Sequence, residues 1–91
     1  MSELSADAVR RHLEEEPEHG GKLLEMNMTS VVSLHNLDQF LNLDTLTHLN
    51  MAVNLLKSVE EIFVFCENLV ILDLSINHIS KVIDNIYTAF L

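Results

Sequence analysis

Five histidines and fourteen aspartates and glutamates in a chain of 91 residues supply the groups from which metal sites and proton-transfer pairs are made. The pairing that spacing favours is His48 with Asp73, which two parallel strands would set one strand position apart on a common face. No third ligand is expected to converge on that pair, and His12, His19, His35 and His78 fall at unrelated positions. These groups are therefore read as ordinary solvent-facing side chains, with no metal ligand, no cofactor and no catalytic residue expected. Cys66 is the single cysteine, which excludes an intramolecular disulfide and a paired-cysteine metal site. Beside Phe63 and Phe65 it reads as a small buried hydrophobe. Gly20 and Gly21 are the only glycines, too few for a phosphate-cradling loop, and no serine, histidine and aspartate fall in a recognisable nucleophile context. The chain is expected not to be an enzyme.

The elements that must carry these residues follow from composition and periodicity. With 48% hydrophobic and 21% charged residues, the chain has the makeup of one small globular domain. A domain this short buries only somewhat more than roughly 60% of its unfolded surface, so its core has little to spare. The net charge of −9 repels nucleic-acid phosphates and anionic bilayers, so neither is expected as a partner. The N-terminal "MSELSADAVRRHLEEE" lacks the apolar stretch of a secretory signal, and no apolar run approaches the roughly 18 residues of a membrane span. A soluble cytoplasmic protein is expected.

Self-comparison reveals a period. "LVILDLSINHIS" (69–80) matches "LTHLNMAVNLL" (46–56) at an offset of 23 residues: Leu46 with Leu69, Leu49 with Leu72, Met51 with Leu74, Asn54 with Asn77, Leu56 with Ile79. A further step back places Leu23, Met26 and Met28 at the leading positions, with Val31 where the asparagine would stand and Ser33 in place of the last aliphatic residue. Phe40, Phe63 and Ile86 recur at the same interval, as do Leu43, Cys66 and Ala89. Leu72 and Leu74, two apart, share one face of a strand. Asn77 has the donor and acceptor needed to satisfy backbone groups where the chain turns. In "KSVEEIFVFCEN" (57–68), Val59, Ile62, Phe63 and Cys66 have the spacing of a helical inward stripe.

The pattern LxxLxLxxNxL, filled by Leu69, Leu72, Leu74, Asn77 and Ile79, resembles the leucine-rich repeat. The resemblance covers 23–91, about three quarters of the chain. It implies an α/β fold: a short right-handed solenoid of three repeats (23–45, 46–68, 69–91), with parallel strands on a concave face and helical or irregular return arms. It further implies an asparagine ladder, for which Asn54 and Asn77 are available. Residues 1–22 are expected to form a capping helix and linker. Ser5 or Ser2 would cap the helix, Leu4, Val9 and Leu13 would face the first repeat, and Pro17 with Gly20 and Gly21 would end it, leaving the acidic run 14–18 as a solvated helix end. "LSADAVRR" is similar to the start of intracellular leucine-rich repeat proteins of the ciliary and dynein-associated group and of a spliceosomal relative, implying an intracellular location, with association with the cilium or cytoskeleton as its narrower form. A fourth repeat would begin at residue 92, so the chain ends where the third finishes. An adhesive C-terminal edge is expected, covered by a partner or by a second copy, or a shortened form of a longer repeat protein.

Such repeats typically bind proteins on the concave face. Outward positions there would be Glu25, Asn27 and Thr29, then His48, Asn50 and Ala52, then Ile71, Asp73 and Ser75. Val53, Ile71 and Ile76 are the expected apolar anchors, with His48 and Asp73 giving polar selectivity. The function expected is protein binding and scaffolding. The alternative is an assembly subunit that docks through its C-terminal edge.

Overall fold

The computed structural model describes residues 4–59 and 66–79. They form a small mixed α/β domain: helix α1 (Ala6–His12), strands β1 (Leu13–Glu16), β2 (Gly21–Glu25), β3 (Leu46–Asn50) and β4 (Ile71–Asp73), and two short 3-10 turns, Leu37–Gln39 and Leu43–Thr45. The four strands make one sheet in the order β1-β2-β3-β4. β2, β3 and β4 run parallel, while β1 is antiparallel to β2.

The helix begins where Ser5, in an extended conformation, accepts a hydrogen bond from the Ala8 N–H at 3.1 Å, satisfying one of the orphan donors of the first turn. Asp7 lies in that turn and the basic residues in the last one, in the sense the helix dipole favours. Val9 is fully buried, with Leu4 and Leu13 packed against the core. The helix ends at His12, not at Pro17. Residues 14–16 of the acidic run 14–18, expected as a solvated helix end, belong instead to strand β1, with Leu13 opposite Leu24 and Glu16 opposite Gly21. The physical reason is pairing: β2 would otherwise present an open edge, and β1 covers it.

The parallel strands follow the aliphatic period, with one change of register. Leu49 pairs with Leu72 and Asn50 with Asp73, the 23-residue interval, but Leu24 pairs with Leu49 and Glu25 with Asn50, an interval of 25. The inward residues of the first copy are therefore Leu24 and Met26, both buried, and not Leu23 and Met28. Met28 is 71% exposed. On this register Thr29 stands at the asparagine position and Val31, also buried, at the final aliphatic one. Between Lys22 and Leu23 the register shifts, because Lys22 faces Leu46 and Leu23 faces His48, leaving Thr47 as an extra residue on β3. Such a bulge re-aims a side chain, and both Leu46 and Thr47 are buried.

Leu24, Leu34, Leu46, Leu49, Met51, Leu56 and Leu74 are the largest fully buried side chains, each contributing about 1.5–3 kcal/mol of apolar transfer. Backbone bonding between successive copies continues beyond the strands: Met26 N–H to Asn50 O (2.9 Å), Met28 N–H to Ala52 O (3.0 Å), Met51 N–H to Asp73 O (2.9 Å) and Val53 N–H to Ser75 O (2.9 Å). The turns after β3 and β4 are closed by asparagine, buried at Asn54 and half-buried at Asn77. Asn54 Nδ2 donates to the carbonyls of Met26 (3.0 Å) and Met51 (2.9 Å), and its Oδ1 accepts from the Val31 N–H at 2.9 Å. One step along, Asn77 Nδ2 donates to Met51 O and Leu74 O, and Oδ1 accepts from the Leu56 N–H at 3.0 Å. Each side chain thus ties its own turn to the preceding copy.

The first return arm is built from the two 3-10 turns and irregular chain, with Leu37 and Leu43 buried. Much of the second arm, including Ile62 and Phe63 of the expected helical stripe, lies outside the described residues, as do Phe65, Ile86 and Ala89. Among the described residues no helix is long and apolar enough to cross a membrane.

Candidate functional site

The outer face of the sheet, away from the leucine core, is where the sequence-expected residues must be located. Across β2, β3 and β4 the register places Leu23, His48 and Ile71 in one row and Glu25, Asn50 and Asp73 in the next. Ile71 is 51% exposed, and His48, Asn50, Asp73 and Ser75 are half-buried. Asp73 does not meet His48. Its Oδ1 accepts from the Ser75 N–H (3.0 Å) and the Ser75 hydroxyl (2.7 Å), and Asn50 Oδ1 likewise accepts from the Ala52 N–H at 3.0 Å. Both side chains stabilise the bend that follows their strand, as short polar residues do in turns.

His48 turns the other way, and here a third ligand does converge. Its Nδ1 lies 3.4 Å from Glu16 Oε1, and His19 Nδ1 lies 3.0 Å from the same oxygen. The two imidazole centroids are 5.6 Å apart. Glu16, His19 and His48 each present one ligating atom, all within 4.8 Å of one another. His19, expected at an unrelated position, and Glu16, expected in a solvated run, are thus neighbours of His48. Three local features bring them together. The turn 17–20 reverses the chain, with Gly20 at φ 70, so that the His19 N–H donates to Glu16 Oε2 at 2.9 Å. Gly21, opposite Glu16, carries no side chain; a Cβ there would lie 2.7 Å from the Thr45 carbonyl oxygen. The bulge at Thr47 aims its hydroxyl at Glu16 Oε1, 2.6 Å away.

Glu16 is almost fully buried. Burial pushes its carboxyl up, but the Thr47 hydroxyl, the His19 N–H and the His19 ring together outweigh that and bring it down to about 2, because each favours the charged form. A hydroxyl has one proton, and the short bond to the carboxylate claims it, so the Thr47 oxygen is left to accept from His48 Nδ1 at 3.2 Å. Cys66 is buried away from this cluster. Burial, aided by the negative charge of Asp44, raises its thiol to about 11, which makes it a poor nucleophile.

A second feature lies along the turns that follow the strands. Met28, Val53 and Ile76 occupy equivalent points in successive copies, all three are exposed (71%, 40% and 72%), and all three have left-handed backbones, φ 59, 56 and 55. Asparagine, aspartate and histidine are the side chains that tolerate this conformation, and for a β-branched residue it is an outlier. Beside the ridge a shallow groove of about 330 Å³ is lined by Ser30, Val53, Leu55, Ile76 and His78. A larger cleft, about 630 Å³ along 38–44, contains none of these residues. Of the expected anchors, Val53 and Ile76 thus belong to the ridge and Ile71 to the sheet face. Met28 completes the ridge; its place was hidden by the register change in the first copy. Residues 89–91, on which self-association through the C-terminal edge would depend, lie outside the described residues.

Comparison with protein-family models, with curated proteins and with solved structures finds no match in any of the three.

Proposed function

We propose that the chain is a non-enzymatic protein-interaction module of leucine-rich repeat type, which holds its partner on the turn ridge Met28, Val53 and Ile76 and on the adjoining outer face around Ile71. The carrying observation is the ridge itself. Three large apolar side chains stand in water in a backbone conformation disfavoured for them, and they do so at the same point of three successive copies. Strained residues of this kind persist where the surroundings over-determine them, and they gather at binding sites. Exposed apolar groups in contiguous array mark interaction surfaces. The repeat reading rests on the intervals of 25 and 23 residues between paired strands and on the bonding of Asn54 and Asn77 to the copy before each.

The partner is a polypeptide segment with apolar side chains for the ridge and basic flanks. The chain carries −9, and Glu25 and Asp73 border the ridge from the ends of β2 and β4, so basic flanks gain in encounter rate and lose nothing to repulsion. An intracellular, cytoskeleton-associated setting accompanies this reading through the N-terminal resemblance. The test is site-directed photo-crosslinking in native lysate, with the crosslinker at position 53 or 76 and, as control, at exposed position 38 on the return arm. Adducts to one protein from 53 and 76 but not from 38 support the reading, and equal labelling at all three refutes it.

A further inference from the structure

We propose that Glu16, His19 and His48 form a binding site for a divalent cation of the zinc class, which fastens the β1–β2 hairpin to β3. The donor set is one carboxylate and two imidazoles, the ligand types that zinc takes in sites with three protein ligands and a fourth position open to water. The geometry is close to what such an ion requires. Bonds of about 2.1 Å in a tetrahedron put ligand atoms about 3.4 Å apart. Glu16 Oε1 stands 3.0 Å from His19 Nδ1 and 3.4 Å from His48 Nδ1, with all three ligating atoms within 4.8 Å. An ion therefore needs only side-chain adjustment, with no movement of the strands.

The surroundings are built for the same purpose. The Thr47 hydroxyl bonds to Glu16 Oε1 and the backbone N–H of His19 to Glu16 Oε2, so the carboxylate is oriented by groups other than the ligating atoms, as metal-binding carboxylates commonly are. His19 is partly exposed on its turn while Glu16 and His48 are largely covered, and His19 also lines a cleft of about 420 Å³ with Gly21 and Thr47, so solvent reaches the ligand set from the His19 side. Each imidazole binds through Nδ1, so the hydrogen bonds that Nδ1 makes to Glu16 Oε1 and to Thr47 Oγ1 in the ion-free chain give way to the ion. The ligands come from both sides of β2, 19 and 48 being separated in sequence by the whole first return arm. A cation bound there closes that loop, and because it binds only the folded chain it stabilises that state.

The experiment titrates the full chain with zinc chloride by calorimetry, with magnesium as the contrast, and follows thermal unfolding with and without zinc. One equivalent of zinc binding tighter than about 10 μM, no response to magnesium, and a roughly 100-fold rise in the folding constant at zinc 100 times its dissociation constant are expected. Cobalt in place of zinc gives the visible absorption of a tetrahedral site. His48→Gln and His19→Gln each weaken binding at least tenfold, while His12→Gln leaves it unchanged. Since His19 lies on an exposed turn, His19→Gln keeps the test valid should His48→Gln fail to fold. Absence of zinc binding, binding with no rise in stability, or unchanged affinity in His19→Gln overturns the proposal.

Discussion

Replacing Ile76 by asparagine should make the protein more stable. Ile76 is 72% exposed, so just over a quarter of its side chain is shielded from water, and full burial of isoleucine contributes about 1.5–3 kcal/mol. The substitution therefore forfeits about 0.4–0.8 kcal/mol of apolar burial. Against this stands the left-handed backbone at φ 55, which costs a β-branched residue about 1–3 kcal/mol and which asparagine tolerates. The net gain is about 1 kcal/mol, or about 0.5 M in the urea midpoint at a slope of about 2 kcal/mol/M. Val53→Asn is the internal comparison. With 40% exposure it loses about 0.9–1.8 kcal/mol of burial for the same relief of strain, and its midpoint should barely move. Urea unfolding followed by far-UV circular dichroism reads both. If Ile76→Asn lowers the midpoint by 0.5 M or more, the residue is there for packing, and strain retained for binding is the wrong explanation of the ridge.

Asn54→Ala strips the buried N–H of Val31 of its acceptor and removes one from the half-buried Thr29 N–H, and should cost about 2–4 kcal/mol, whereas Asn77→Ala, at a half-buried turn where it accepts from the Leu56 N–H, should cost about 1–2 kcal/mol; denaturant unfolding of the two variants checks the order. Gly21→Ala drives a methyl against the Thr45 carbonyl oxygen and should destabilise by about 2 kcal/mol, with loss of the hairpin contacts visible by amide exchange. For Cys66 the folded thiol, raised to about 11, keeps its proton where the unfolded thiol, at its ordinary 9.0, has released it. Stability should therefore fall as pH rises from 9 to 11 and level off beyond, a decline that Cys66→Ala abolishes. In the native protein at pH 8 the thiol should alkylate far more slowly than in urea.

What was legible in the sequence, and what was not, divides along local and non-local physics. β3 and β4 could be located because Leu49 and Met51, and Leu72 and Leu74, alternate at the period of a strand and precede an asparagine with turn chemistry. In the first copy Leu24, Met26 and Met28 offer apolar side chains at three alternate positions of the same parity, so periodicity alone could not choose between registers two apart. The structure selects Leu24 because the first arm is two residues longer than the second interval. Strand β1 carries three consecutive glutamates and no alternation, and its conformation comes from pairing with β2, a tertiary effect that outweighs local propensity. The cluster of Glu16, His19 and His48 depends on that same strand, on the glycine at 21 and on the bulge at Thr47. A local trace was present in the spacing Glu16-x-x-His19 ahead of two glycines, but His48 reaches it only through the sheet. The exposed ridge was half visible, through Val53 and Ile76; Met28 joined it only once the register was known.

The most direct measurement of the central claim is the affinity of the captured partner for the wild-type chain and for the triple variant Met28→Asn, Val53→Asn, Ile76→Asn, with folding of both verified by circular dichroism. Anchors at a binding ridge contribute more than about 1 kcal/mol each, and every 1.4 kcal/mol is about tenfold in affinity, so the expected result is a loss of about 100-fold in a variant that remains folded. An unchanged dissociation constant in that folded variant would contradict the claim that this ridge is what the protein binds with.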